Sequence, residues 1–260
     1  MSLEMGPERT AGPPVGSRRQ RQRQETFREI VTTARRLLGT PDGLSLRSVA
    51  AEMGMTPPAL YRYVDSYQDL QILVARDIMT DLVELLWRVR RSVPDEDPAL
   101  QITLVSLAFR NWSLINHAEF SMAFANAELA VNTGGKAESR NVMGLVCIDI
   151  YRNLKAKYGF ETPLPEDYEV VSGGFESEWP GVEDPGLTWA LTRHYVRLFG
   201  VVTLEVYRQL PPGLIESGAL FRATLRDTAA ELNLGQDIPR LADAISARIH
   251  DPAFLEVGAD

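Results

Sequence analysis

The sequence predicts an all-α chain: a small N-terminal helix-turn-helix domain followed by a larger helical body. Three observations carry that reading. Apolar residues recur at three- and four-residue steps through most of the chain, glycines, prolines and capping residues interrupt them at helical lengths, and no alternating apolar–polar run of useful length occurs. At 260 residues, with 45% hydrophobic and 24% charged side chains, the chain can bury a full core. A single cysteine, Cys147, rules out an internal disulfide framework and fits a reducing cytoplasm. No apolar run approaches the roughly 18 residues of a membrane span, so no membrane partner is expected.

Residues 1–24 hold Pro7, Pro13 and Pro14 and then the run Arg18-Arg19-Gln20-Arg21-Gln22-Arg23-Gln24, which reads as a disordered basic arm. A helix is expected from Phe27, where Ile30, Val31, Ala34, Leu37 and Leu38 follow at helical steps, and Gly39 with Pro41-Asp42-Gly43 ends it. Ser45 caps a short second helix with Leu46, Val49, Ala50 and Met53, closed by Gly54 in a position suited to positive φ. Thr56 caps a third, with Pro57 in its first turn, where a missing N–H costs nothing. Ser66-Tyr67-Gln68-Asp69 resembles a capping box opening a fourth helix that runs to about Arg91. Further helices are expected over 98–116 and 187–210, each after an Asp-Pro pair, and over 118–130, 139–158, 213–232 and 238–249. The expected domains are thus 1–24, the arm; 25–70, the helix-turn-helix domain; and 71–260, the body.

Charge divides along the same lines. The chain carries a net −8, yet residues 18–63 hold nine arginines against Glu25, Glu29, Asp42 and Glu52, a net +5. The first 17 residues carry −1 and everything after Tyr63 carries −12. A basic head on an acidic body suits a phosphate backbone at one end and repels it elsewhere; alone, an arginine-rich solvated tail explains it equally well.

The helix-turn-helix breaks that tie. Two short helices joined at Gly54-Met55 force the third to cross the second and project, where it can enter a major groove about 12 Å wide. Pro57, Pro58 and Ala59 let the backbone approach closely and offer apolar surface to thymine methyls, while Leu60 faces inward. Tyr61, Tyr63 and Tyr67 present hydroxyls to phosphates, and Arg62 is long enough for a guanine edge. The whole run 44–64, LSLRSVAAEMGMTPPALYRYV, resembles the signature of the tetracycline-repressor (TetR) family, and Thr33-Ala34-Arg35-Arg36-Leu37 with Gly43 fits the first helix and turn of that family. The resemblance covers roughly residues 26–73. It implies that Arg47, Pro57, Pro58, Ala59 and Arg62 face the bases and that Tyr61, Tyr63 and Tyr67 hold the backbone, with Thr56 also counted to the DNA-binding surface. It also implies a homodimer on a pseudo-palindromic double-stranded operator, acting as a repressor released by a small-molecule effector. One departure stands out: Tyr67 occupies a place where the family usually has lysine. Either its phenol donates one uncharged hydrogen bond to phosphate, with the basic arm compensating, or Tyr67 merely packs.

The body offers no enzyme and no cofactor site. His117, His194 and His250 lie far apart in no metal-ligand spacing, Gly134-Gly135-Lys136 lacks the flanking context of a phosphate loop, and Cys147 sits in an apolar run as core. An effector pocket for an apolar or aromatic ligand is expected near Phe109, Trp112, Asn116, Met122, Cys147 and Tyr151, the alternative being ordinary core, with Asn116 simply capping a helix junction. A DNA-binding regulator without any ligand is the competing function. The 187–210 helix carries two apolar stripes where a surface helix needs one. Leu191, Tyr195, Leu198 and Val202 form the first. Trp189, Val196, Phe199, Gly200, Thr203 and Tyr207 form the second, expected to meet a two-fold partner together with Phe221 of the next helix.

Overall fold

The computed structural model describes residues 18–41, 43–124, 142–167 and 184–257. The chain is all-α, with eleven α-helices, a terminal 3₁₀ segment and no strand among the described residues. It divides into two compact units, one ending at Leu70 and the other beginning at Gln71.

In the first unit α1 (Arg18–Leu37) packs on α2 (Leu46–Glu52), and α2 on α3 (Pro57–Leu60). Helix α1 corrects the expected arm over 18–24, where the arginine–glutamine run forms its first two turns rather than a disordered segment, and residues 1–17 of that arm lie outside the described residues. Arginine and glutamine are good helix formers, and once Ile30, Val31, Ala34 and Leu37 are buried the helix propagates back at little cost per residue. The cap of α2 is as expected: Ser45 Oγ accepts from Ser48 N–H at 3.0 Å, and Ser48 Oγ accepts from Ser45 N–H at 2.9 Å. Gly54 takes φ of 62°, which lets Met55 N–H return to the Ala50 carbonyl at 2.8 Å and turns the chain sharply into α3. Thr56 departs from expectation: it occupies the N-cap place, yet its side chain makes no capping bond and its hydroxyl is left outward.

Helix α4 (Tyr67–Arg91) starts in the first unit and runs on in the second. The body is built round α5 (Pro98–Ile115), buried from Pro98 to Ser113 apart from Leu100 and covered by α7 (Val142–Tyr158), α8 (Pro185–Val206) and α11 (Ile238–Ser246). The Asp-Pro pairs act as expected: Asp97 and Asp184 accept from Leu100 and Leu187 N–H, each at 3.2 Å. Helix α6 (His117–Phe124) follows α5 directly. Residues 125–130 and 139–141 of the expected helices, and the Gly134-Gly135-Lys136 turn, lie outside the described residues.

The expected 213–232 helix is two helices, α9 (Pro212–Ser217) and α10 (Ala219–Glu231), broken at Gly218. Gly218 sits at φ 61°, and a Cβ there would meet Ile249 Cδ1 at 2.5 Å and the Arg110 guanidinium at 3.4 Å. Hydrophobic periodicity continues through the break, so only the packing reveals it. The chain closes with a 3₁₀ segment (Pro252–Glu256) whose Phe254 is buried.

Candidate nucleic-acid interface and helical body

The first unit sorts its residues cleanly into an inner and an outer set. Leu60 and Val64 are buried to 1% and 0%, and each such anchor contributes roughly 1.5–3 kcal/mol to holding the turn on its core. Around them Arg47, Thr56, Pro57, Pro58 and Arg62 are exposed, Tyr61 is 52% exposed, and Ala59 and Tyr63 are half-buried. Neither Arg47 nor Arg62 is held in an ion pair among the described residues, so both guanidiniums stay available. The nearby pair that does form, Arg36 to Glu52 at 2.6 Å, is solvent-exposed and is worth no more than about 1 kcal/mol. Tyr67 is 41% exposed at the head of α4, where Ser66 Oγ accepts from Asp69 N–H at 3.0 Å.

Because the arginine run is helical, it builds something the sequence did not announce. Gln20, Arg21, Arg23, Gln24, Phe27 and Arg28 of α1 and the ring of Tyr63 line an open groove of about 760 Å³. Arginine and glutamine donors thus stand beside Tyr63, one of the phosphate-holding residues implied by the resemblance. The clue in the sequence was the helix-forming character of the run itself, overridden by the proline-rich stretch before it.

In the body, the six expected ligand residues fall into two groups. Phe109 belongs to an aromatic cluster with Phe120 at 6.3 Å and Phe124 at 5.9 Å between centroids, and Phe199 stacks on Phe120 at 5.9 Å. Trp112 is buried and Met122 half-buried on the same two helices. Asn116 caps the end of α5, its Nδ2 donating to the Trp112 carbonyl at 3.0 Å. Cys147 and Tyr151 form a second group on α7, fully buried, with the Tyr151 ring 6.4 Å from Phe160 and 5.8 Å from His194. No ring contact joins the two groups among the described residues. Burial pushes the Cys147 thiol up to about 12, which removes it as a nucleophile at neutral pH.

His194 is the body's hidden polar residue. Ser106 Oγ lies 2.7 Å from the Ile102 carbonyl and spends its only proton there, so at 3.1 Å from His194 Nε2 it must accept. The imidazole therefore carries its proton on Nε2, leaving Nδ1 as a buried acceptor without a partner, as the buried Tyr151 hydroxyl also is. Desolvation, with the Arg197 charge adding to it, lowers the His194 pKa from 6.5 to about 4. A base whose pKa is depressed on folding stabilises the native state above its unfolded value and ceases to as pH falls. We expect about 3 kcal/mol of stability to be lost between pH 6.5 and 4 through this residue. Urea midpoints measured across that range should show a shallower fall in His194→Gln; parallel profiles for the two proteins would refute it.

The expected partner face is corrected at Phe221 and narrowed at Phe199. Phe221 is fully buried within one chain, its ring 5.3 Å from the Arg110 guanidinium carbon, and Phe199 is engaged with Phe120, Phe124 and Tyr195. Phe221 therefore has no surface to offer a partner, while the half-buried Phe199 keeps only part of its ring outward. Along α8 the exposed set is Val196 at 61%, Gly200, Leu204 at 39% and, just past its end, Tyr207 at 39%, spaced four, four and three apart on one face. Trp189 and Thr203 flank that face half-buried, and Leu220 of the adjacent α10 is 38% exposed. Leu204 was missed because apolar residues surround it on every side of the helix.

No group of three or more histidine, cysteine, aspartate or glutamate side chains suited to a metal occurs among the described residues. Among them, too, no helix is long and apolar enough to cross a membrane.

Comparison with known proteins now bears on this geometry. The chain is 26% identical over 234 residues to an HTH-type transcriptional regulator of Mycobacterium bovis and to HTH-type transcriptional regulators of two Mycobacterium tuberculosis strains. Its relatives are helix-turn-helix regulators. The match spans 84% of this chain and 96% of each relative, so it takes in the body as well as the head. A solved structure of a candidate regulatory protein, SCO4313, superposes with a TM-score of 0.59 at 24% identity, covering 82% of this chain and all of that one. That likeness concerns the fold. No family model matches the sequence.

Proposed function

We propose that the protein is a DNA-binding transcriptional regulator of tetracycline-repressor type, acting as a homodimer and released from a pseudo-palindromic operator by a small apolar or aromatic ligand. The observation that carries the reading is the outward set Arg47, Thr56, Pro57, Pro58, Tyr61 and Arg62 on a helix-turn-helix whose inner face is sealed by Leu60 and Val64. The names of the relatives, matched over nearly their whole length, support it. The groove of α1 and Tyr63 extends the same basic surface and suits a phosphate strand.

In a dimer the two recognition segments must lie about 34 Å apart to reach successive major grooves. A ligand favouring a protomer shape with another spacing weakens DNA binding by its differential affinity, typically about 1–3 kcal/mol. Helix α4, continuous from Tyr67 to Arg91, is the segment through which such a change is transmitted. We place that ligand in the body near Phe109, Trp112, Asn116 and Met122, beside the aromatic cluster, or near Cys147 and Tyr151 beside His194.

Selection of binding sites from random DNA tests the head. Arg62→Ala should relax discrimination at one base pair per half-site, by roughly 1–3 kcal/mol, whereas Tyr61→Phe should weaken all sequences alike. Replacing Arg21, Arg23 and Arg28 together by glutamine should flatten the salt dependence, by about 0.9 in log–log slope for each phosphate no longer neutralised, without altering base preference. Identical site preferences for wild type and Arg62→Ala would remove Arg62 from the base readers. A changed preference with an unchanged slope would remove the α1 arginines from the backbone.

A further inference from the structure

A cleft of about 590 Å³ opens in the body between the end of α5, the start of α6, the end of α8, α9 and the segment after α11. Its volume lies in the range of small-molecule sites. Leu114, Val206, Leu210, Ile215 and Ile249 give it aliphatic walls, and it shares no residue with the groups round Phe109 and Tyr151.

The cleft carries two cations, Arg110 and Arg208, and two carboxylates, Glu205 and Glu216, but only Arg110 and Glu205 are joined as a pair. Glu205, buried to 1%, is taken up by Arg110: Nε donates to its Oε2 at 2.6 Å and Nη2 to its Oε1 at 3.4 Å. Arg110 Nη2 also donates to the Ile215 carbonyl at 2.7 Å. That leaves Nη1 with no acceptor among the described residues, on an arginine only 2% exposed that lines the cleft. Glu205 meets the charge of Arg110, and Nη1 keeps N–H donors free for an acceptor that enters the cleft. Arg208, the residue after the C-cap of α8, is a second cation on the same wall, and it forms no ion pair among the described residues. Its φ of 53° is the left-handed turn that ends α8, where Gln209 N–H returns to the Leu204 carbonyl at 2.9 Å, and it sets the Arg208 side chain at the mouth of the cleft. His117 and His250 add ring N–H donors, and the second carboxylate, Glu216, is solvent-exposed like Arg208 and forms no ion pair with it among the described residues.

We propose that this cleft binds a carboxylate carried on an aliphatic body, its oxygens held by Nη1 of Arg110 and the Arg208 guanidinium and its chain against Leu114, Val206 and Ile249. The proposal stands apart from the DNA-binding reading, because it concerns the body alone and its test uses no DNA.

Calorimetric titration of the full chain with octanoate and with octanamide separates charge from chain. Octanoate should bind about ten- to a hundredfold tighter than octanamide, the interval expected for a charge-assisted bond. Arg208→Gln, an exposed change that leaves the fold intact, should weaken octanoate at least about tenfold and leave octanamide unchanged. Arg110→Lys should do the same, and the Arg208 variant decides the matter if that protein does not fold. Hydrogen exchange with octanoate bound should protect amides of 205–217. Equal binding of acid and amide, no binding of either, an Arg208→Gln protein that binds octanoate like wild type, or protection confined to α7 would each overturn the proposal.

Discussion

Glu205→Ala is expected to destabilise the body by about 3–5 kcal/mol, the usual cost of stranding one partner of a buried ion pair. Arg110 and Glu205 are 2% and 1% exposed, with Nε and Oε2 at 2.6 Å, so each keeps only a sliver of surface on the cleft through which water could replace its partner. Removing the carboxylate leaves a cation enclosed by the Phe221 ring and Gly218, with only the Ile215 carbonyl as acceptor. Burial also raises the Glu205 pKa, against the pull of the Arg110 hydrogen bond and charge, so the carboxylate itself is costly to keep. The double change Arg110→Met with Glu205→Leu should therefore recover most of the loss, since apolar groups of similar volume need no partner. Thermal unfolding reads the difference directly: roughly 6–20 °C lower for the single variant, near wild type for the double. A single variant as stable as wild type would show that the pair is not enclosed.

Gly200→Leu is expected to convert a dimer to folded monomers and to lower operator affinity by about a hundredfold or more. Gly200 stands midway along the exposed stripe of Val196, Leu204 and Tyr207, and a Cβ built on it meets no atom within 4 Å. A leucine there disturbs nothing within its own chain. The cost of a helix glycine relative to alanine, about 0.5–1 kcal/mol, is even relieved. Any large loss must then come from a second chain approaching that face. In a two-fold four-helix arrangement of α8 and α10, a side chain at this point pushes the partner helix away. Once the protomers separate, the second half-site is no longer held at high effective concentration, a penalty of about 10²–10⁴. Sedimentation equilibrium at micromolar concentration and operator titration check both parts. A wild-type protein that sediments as a monomer, or a variant that remains dimeric, would end this reading of α8 and the paired half-sites with it.

Much of the fold was legible because helix boundaries are local. Ser45, Gly54, Asp97 and Asp184 act within three or four residues of themselves, and each does in the structure what its type and position suggest. The outward set of the helix-turn-helix was legible for the same reason: a tight turn fixes which side of a short helix can face its own core. On apolar faces the limit of the pattern is plain. Periodicity says that a residue lies on a face and is silent about what covers it. Phe221 lies on an apolar face that other elements of the same chain cover completely, and Phe199 on one that they cover in part, which the pattern alone does not distinguish from a face left for a partner. The arginine run was judged by its polarity and its proline-rich neighbour, while burial further along α1 decided that it is helix.

By itself, then, the sequence determined the all-α class, the order of the helices and the residues the head turns outward, since all of these follow from interactions within a turn or two of chain. The tertiary structure alone decided the fate of the polar residues in the body. Arg110 finds Glu205 across 95 residues and His194 finds Ser106 across 88, and no local pattern encodes either meeting. An arginine in a helix as apolar as α5 announces that a counter-charge must exist; only packing in three dimensions supplies it, because a buried charge is tolerated only where its partner is brought to hydrogen-bonding distance.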